Sequence, residues 1–220
     1  MLSIVIPTLN AAATLPATLA ALGERPPDSE IIVSDGLSAD ATPAIARGAG
    51  VRTVESVRGR GMQFAAGAVA ARGDWLLFLH ADTLLVPGWA AVVRRFCAAG
   101  SRRAAYFRFM LDDDAAAARR LEALVAWRCR RLGLPYGDQG LLISMDLYRE
   151  VGGFHALPLM EDVHLVRRLG CDRLVGLDHP AITSAARYEG GYLRRSLRNL
   201  SCLALYFAGV PPARIVRLYG

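Results

Sequence analysis

Not one of the 220 residues is lysine; all 26 basic side chains are arginine. That absence removes whole reaction classes, because no Schiff-base lysine, P-loop lysine or lysine general base can operate. Cysteine is scarce. Cys97, Cys129, Cys171 and Cys202 stand far apart with no CxxC pair, which excludes the usual zinc spacing and predicts buried free thiols in a reducing compartment. Long hydrophobic runs are missing too: no apolar stretch reaches the roughly 18–20 residues of a membrane span. The first residues go straight into strand-like sequence with no signal peptide, so a cytoplasmic protein is expected. No internal repeat or low-complexity linker divides the chain.

What is present is apolar and basic. At 53% hydrophobic the chain can bury a sizeable core, and its length fits one domain. The formal charge of +6 comes with heavy use of alanine and arginine, a compositional bias that weakens any inference to nucleic acid. No aromatic-plus-basic platform for single strands accompanies it, and no nucleic-acid partner is expected. Arginine does suit bidentate contacts to phosphate.

Taken in order, the pattern alternates strands and helices. Leu2–Pro7 reads as a buried strand, with Pro7 ending the ladder and Asn10 placed to cap a helix reaching about Leu22. Glu30–Ser34 is a second strand ending in Asp35-Gly36, followed by a helix over Thr42–Arg47 and a strand at Val51–Glu55. Helices are predicted at Gln63–Ala71, Pro87–Ala99, Ala115–Arg131 and Val163–Leu169, and strands at Ala104–Leu111, Leu141–Ser144, Arg173–Leu177 and Ala181–Ala185. Asp146 is placed to cap a brief helix, and the Asp112-Asp113-Asp114 run reads as capping the helix after it. This alternation is the signature of an α/β fold with a mostly parallel sheet and right-handed crossovers.

One stretch stands out. Asp74-Trp75-Leu76-Leu77-Phe78-Leu79 is a strand-like run that stops at His80-Ala81-Asp82. Side chains alternate along a strand, so His80 and Asp82 share a direction just past its carboxyl end, where open parallel sheets collect ligands. A carboxylate there suits a hard divalent cation carrying phosphate oxygens; the plain alternative is a turn cap. Thr8 and Asp35 end neighbouring strands at the same edge, and Asp35 suits a base or ribose as well as it suits a turn. Arg58-Gly59-Arg60-Gly61-Met62-Gln63 is a glycine-arginine loop before a helix, open to phosphate and equally to being a solvated turn. It is neither a Walker loop nor GxGxxG. Pro135–Gly140 is a second polar, glycine-rich loop, and Glu161-Asp162 opens a helix as favourable charge or as a held base.

The order of these pieces resembles the family-2 glycosyltransferases of the GT-A fold, from about Ser3 to Arg187. The resemblance rests on Ile4-Val5-Ile6-Pro7-Thr8-Leu9-Asn10, the Ile31–Thr42 run, Arg58-Gly59-Arg60-Gly61, His80-Ala81-Asp82, Gly137-Asp138-Gln139-Gly140 and Met160-Glu161-Asp162. His80 stands where the family's metal motif has its first Asp, Gly36-Leu37 where it often has Asp-Gly, and Asn10 lacks the usual following Glu. The nearest subgroup is the short bacterial enzymes with His-Ala-Asp, some associated with radical-SAM or selenodomain proteins.

The resemblance implies a single Rossmann-like GT-A domain over residues 1–190. It implies metal-assisted, inverting transfer of a sugar from a nucleoside diphosphate sugar to an acceptor that is a small molecule or lipid-linked. Pro7, Thr8, Asn10, Asp35, Arg58, Arg60, Gly61, Gln63, His80 and Ala81 would hold the donor. Asp82 would hold Mg²⁺ or Mn²⁺, with Mn²⁺ better suited to His80. Gly137, Asp138, Gln139 and Arg187 would face donor sugar and acceptor, and Asp162, beside Glu161, would be the general base. A sugar nucleotidyltransferase or a non-catalytic nucleotide-binding module are the other readings; the first commonly needs a lysine that this chain lacks. Residues 191–220 read as a helical extension in which Arg194, Arg195 and Arg198 lie beside leucines. It would pack on the domain, on a second subunit of a homodimer, or peripherally on the inner face of a membrane.

Overall fold

Strand β1 (Leu2–Thr8) is buried at every position, as a strand covered on both faces should be. In the computed structural model, which describes residues 1–100, 102–188 and 190–219, β1 pairs in parallel with β2 (Ser29–Asp35) and β4 (Trp75–Phe78), and β2 pairs in parallel with β3 (Arg52–Glu55). The crossovers carry α1 (Leu15–Ala21), α2 (Thr42–Gly48) and α3 (Arg60–Ala70). Beyond β4 the sense reverses. Strand β7 (Leu141–Ser144) is antiparallel to β4 and to β6 (Ala104–Leu111), while β8 (Leu174–Thr183) runs parallel to β6 and antiparallel to β5 (Thr83–Leu85). The eight-stranded order is β3-β2-β1-β4-β7-β6-β8-β5, a mostly parallel sheet with helices on both faces.

The two faces follow the period of two. Ile4, Ile6, Leu77 and Leu79 pack with Leu15 and Trp89 on one side. Val5, Leu76 and Phe78 pack with Phe64, Ile143 and Phe154 on the other. Each fully buried side chain of this kind contributes about 1.5–3 kcal/mol. The remaining helices are α4 (Trp89–Ala98), α5 (Ala116–Leu132), α6 (Met145–Glu150), α7 (Glu161–Leu169), α8 (Tyr192–Phe207) and α9 (Pro212–Tyr219). Helices α8 and α9 pack on the domain: Cys202, Leu203 and Ile215 join Leu134, Met160, Val163 and Val166 in a third cluster.

Several local expectations are corrected. The two closing strands are one, β8, running through Pro180; a register shift against β6 between Tyr106 and Arg108 absorbs the missing N–H. Asn10 does not cap α1, whose boundary residue is Thr14; its backbone is left-handed, at φ 51°, and its side chain accepts from Ala39 N–H instead. Ser144, not Asp146, caps α6 by accepting from Leu147 N–H. The aspartate run before α5 is divided: Asp113 accepts from Ala115 N–H, Asp114 pairs with Arg119, and Asp112 accepts from Ala185 N–H. All four cysteines are free, yet Cys171 is exposed where burial was expected, and Cys97 is only half-buried.

Candidate active site

The loops after β1 and β2 are knitted into one rim. Asp35, buried, accepts at Oδ1 from Thr8 Oγ1 at 2.8 Å and Ser38 Oγ at 2.6 Å, and at Oδ2 from Ser38 N–H at 2.8 Å. Asn10 N–H donates to Ser38 Oγ, Ala11 N–H to Thr42 Oγ1 and Ala12 N–H to Asp40 Oδ2. An ionised carboxylate offers about four acceptor positions, so three bonds leave Asp35 one at Oδ2. Short polar residues with backbone donors at hand hold such loops without apolar packing.

Helix α3 braces this rim from below. Gln63, 2% exposed, donates through Nε2 to Thr8 O at 2.5 Å and Ser34 O at 3.2 Å, which bridges the ends of β1 and β2. Its role is therefore internal. At the start of α3, Arg60 Nε lies 2.6 Å from Glu161 Oε1. Gly61 fits only because it has no side chain, since a Cβ there would lie 2.3 Å from His155 O and 3.1 Å from Glu161 Cβ. Arg58 is on the loop before α3. Glu161 is 1% exposed. Burial raises its carboxyl pKa, and the nearby Asp162 adds to this, while Arg60 opposes both. Glu161 thus anchors α7 to α3.

Just past β4, His80 is buried, 5% exposed, with its ring stacked on Phe64 at 5.9 Å. Thr18 Oγ1 donates to Ala81 O at 2.8 Å, which ties this turn to α1. Asp82 is half-buried beside it. Among the described residues no group of three or more histidine, cysteine or acidic side chains is placed to hold a metal ion. One carboxylate with a neighbouring imidazole is too little for a resident cation, but it fits one that arrives with diphosphate oxygens and water as its other ligands.

The second loop closes over this point. Gly137 N–H donates to Asp162 Oδ2 at 2.8 Å, and Asp162 Oδ1 accepts from Val163 N–H at 2.7 Å. A Cβ on Gly137 would lie 2.5 Å from His80 Nε2 and 3.5 Å from Asp162 Oδ2, so His80, Gly137 and Asp162 meet at one place. The loop is held by Gln139, 1% exposed, which donates to Phe107 O at 3.0 Å and accepts from Tyr136 N–H and Cys129 Sγ. Asp138 O accepts from Thr183 Oγ1 at 3.2 Å. Met160, directly before the acidic pair, takes φ 65°. A left-handed non-glycine residue of this kind costs about 1–3 kcal/mol and here sets where α7 begins.

These residues open on a cleft of about 710 Å³, mouth included. Of the residues expected from sequence, Arg60, His80, Gly137, Asp138 and Asp162 line it. Pro7, Thr8, Asn10, Asp35, Arg58, Gly61, Gln63, Ala81, Asp82, Gln139 and Glu161 do not: Thr8, Asn10 and Asp35 belong to the rim, Gln63 braces it, and Gln139 and Glu161 are buried supports of the second loop and of α7. Arg187 sits in the 3-10 turn Ala185–Tyr188, and its side chain falls outside the described residues. Burial pushes the Tyr136 phenol up to about 12, so this lining residue stays protonated near neutrality. Arg195 and Asn199 of α8, and Tyr188, complete the wall. None of the three was singled out for the site from sequence. The arginine and asparagine are spaced four apart and share a helix face, but spacing alone does not say which face turns inward.

The fold has solved counterparts. Glucosyl-3-phosphoglycerate synthase from Mycobacterium tuberculosis, in complex with Mn²⁺, UDP and glucosyl-3-phosphoglycerate, superposes with a TM-score of 0.65 at 20% identity, over 96% of this chain and 81% of that one. TarS from S. aureus, as its 1–349 fragment with UDP, gives a TM-score of 0.65 at 15% identity, over 99% and 69%. The full TarS structure is covered over 42% of its length. None of the curated proteins matches in sequence. The model of glycosyl transferase family 2 matches residues 3–124, more than half the chain and the whole of the rim from β1 through the turn after β4. The chain therefore belongs to glycosyltransferase family 2, in the GT-A fold.

Proposed function

We propose that this enzyme transfers a sugar from a uridine or guanosine diphosphate sugar to an acceptor hydroxyl, with inversion and with Asp162 as general base. The observation that carries the reading is the meeting of His80, Gly137 and Asp162 in the cleft wall, which Arg60 shares at the start of α3, the helix whose Gln63 bonds Thr8 O. The remaining acceptor position on Asp35 suits the ring N–H of uracil or guanine. The UDP held by both solved relatives supports the same class of donor.

Each part of the rim then has a task. Thr8 and Asp35 orient the base and ribose, while Arg58 and Arg60 face the diphosphate. The Mn²⁺ of the mycobacterial enzyme supports a divalent cation here, with Asp82 as its protein carboxylate. When bound, such an ion neutralises the charge that builds on the departing diphosphate. Asp162, fixed through both oxygens by Gly137 and Val163 N–H groups, takes the proton of the attacking hydroxyl. A base so placed contributes about 10²–10⁴-fold. Holding both substrates in one cleft adds the orientational share.

The test is incubation with a panel of nucleotide sugars, scored for nucleoside diphosphate release. Release from one uridine or guanosine diphosphate sugar is the expected result. Formation of pyrophosphate from a nucleoside triphosphate and a sugar phosphate, with no release from any nucleotide sugar, would overturn it.

A further inference from the structure

Helix α8 carries apolar side chains on two sides, one packed on the domain and one exposed. Its polar residues Arg195 and Asn199 face the cleft, and Cys202 and Leu203 seat it on α7. Leu193, Leu197, Leu200 and Phe207 follow one another at helical spacing on the opposite side. They are 73%, 55%, 62% and 48% exposed. A surface helix of a self-contained domain normally turns its leucines inward.

The apolar stripe continues onto α5. The two helices are joined near their starts by a hydrogen bond from the Tyr192 hydroxyl to Asp113. Near their ends Leu132 shares an open groove with Leu200, Leu203 and Phe207. Along α5, exposed Leu124 and Trp127 extend the same apolar character, with exposed Arg120 and Arg131 at either end of their row. Exposed apolar residues on two adjoining helices that meet at the Leu132 groove mark a docking face.

Charge decides what docks. From residue 190 to the end the sequence has Arg194, Arg195, Arg198, Arg214 and Arg217 and no acidic residue. On α5, Glu122 is held by Arg119. Exposed Arg194 on α8 and exposed Arg120 and Arg131 on α5 thus flank the apolar residues, while at the start of α5 Asp113 is engaged by Tyr192 and Asp114 by Arg119. A two-fold dimer sets one patch against its own copy, which would oppose arginine to arginine. An anionic bilayer complements both features, taking the leucines at the acyl boundary and the arginines at its headgroups.

We propose that the α5–α8 face docks peripherally on an anionic membrane surface. Among the described residues no helix is long and apolar enough to cross a membrane, so the contact lies in the interface. The cleft is on the far side of α8, about one helix diameter (~10 Å) behind the docked face. This inference does not depend on Asp162 or on the donor reading.

The test is flotation of the full chain with phosphatidylcholine vesicles, with and without phosphatidylglycerol. Binding is expected with phosphatidylglycerol and is expected to weaken as salt rises. The double substitution Leu197→Glu/Leu200→Glu, at exposed positions outside the cleft, should lower partitioning by tenfold or more, about the worth of one buried leucine. Independently, Trp127 fluorescence should shift to the blue on adding those vesicles, and the shift should vanish in Trp127→Phe. Absence of binding to phosphatidylglycerol vesicles would overturn the proposal, as would binding unchanged by the double substitution. So would a concentration-dependent dimer in sedimentation that the double substitution abolishes, since the face would then serve copies of this chain.

Discussion

Gly137 donates its backbone N–H to Asp162 Oδ2 at 2.8 Å while the space beside its Cα is filled by His80, whose Nε2 would lie 2.5 Å from any Cβ. The loop, the histidine and the aspartate are therefore fixed relative to one another without a side chain at residue 137. Gly137→Ala should displace the loop or the buried imidazole and lower kcat/KM by about 10²-fold, the effect of a misplacement near 1 Å. Nucleoside diphosphate affinity, which the proposed function assigns to the rim, should change little. Steady-state kinetics alongside calorimetric titration with the nucleotide would separate the two.

The Arg60–Glu161 pair predicts a pH-dependent stability defect. Arg60→Ala leaves a carboxylate that is 1% exposed without its guanidinium. Breaking a fully buried pair costs about 3–5 kcal/mol; with Arg60 a third exposed, about 2 kcal/mol is expected near neutrality. Glu161 already titrates above its ordinary 4.5 because of burial, and the substitution moves it further up. A carboxyl group raised in the folded state binds more protons folded than unfolded. Stability is then highest below the unfolded value and falls as pH rises through the folded one. The deficit of Arg60→Ala should therefore shrink on acidification towards pH 4.5. Urea unfolding of both proteins across that range would show it, and a constant deficit would argue against the pair.

His164 gives the opposite sign. Burial lowers its pKa from the ordinary 6.5, helped by Arg168, His155 and Arg167, and its Nδ1 lies 2.8 Å from the Tyr206 hydroxyl on α8. A depressed imidazole favours the neutral form in the folded state, so its contribution is complete above 6.5 and is lost as pH falls through the lowered value. Amide exchange in α8 should accelerate there ahead of exchange in β1 and β4. His164→Gln should flatten that difference.

Asp82 predicts a metal-linked contribution to nucleotide binding. Asp82→Asn should weaken uridine or guanosine diphosphate about tenfold with Mn²⁺ present and leave the chelator-treated affinity unchanged, if the carboxylate acts through the cation as proposed. Calorimetry with and without chelator measures both. Equal affinities for the native protein under the two conditions would remove Asp82 from the donor site.

Much of the parallel half of the fold was legible because each strand there is a short apolar run ending in a polar turn. Ile4-Val5-Ile6, Ile31-Ile32-Val33 and Leu76-Leu77-Phe78 have one extended, doubly covered solution. The antiparallel half was harder. Strand β5 has three residues, too few to carry a period, and Pro180 divided on paper a strand that a register shift keeps whole. At the site, His80 and Asp162 were legible as polar residues ending or opening an apolar element. Gln63 and Gln139 were legible as polar residues near the site, but their internal bonding to Thr8 O, Ser34 O and Phe107 O was not. Arg195 and Asn199 were not legible as site residues because α8 carries leucines on two sides, Leu203 inward and Leu193, Leu197 and Leu200 outward, so its pattern does not say which side faces the cleft.

The central claim is that Asp162 takes the proton of the acceptor hydroxyl. Asp162→Asn keeps the shape and can accept from one of the two N–H groups, Gly137 or Val163, that hold the aspartate, but it lacks the basicity. Single-turnover transfer measured with saturating donor, beside the dissociation constant for the nucleoside diphosphate, tests the claim most directly. The account predicts transfer slowed by about 10²–10⁴-fold with the dissociation constant unchanged. A variant that transfers within about threefold of the native rate would contradict it.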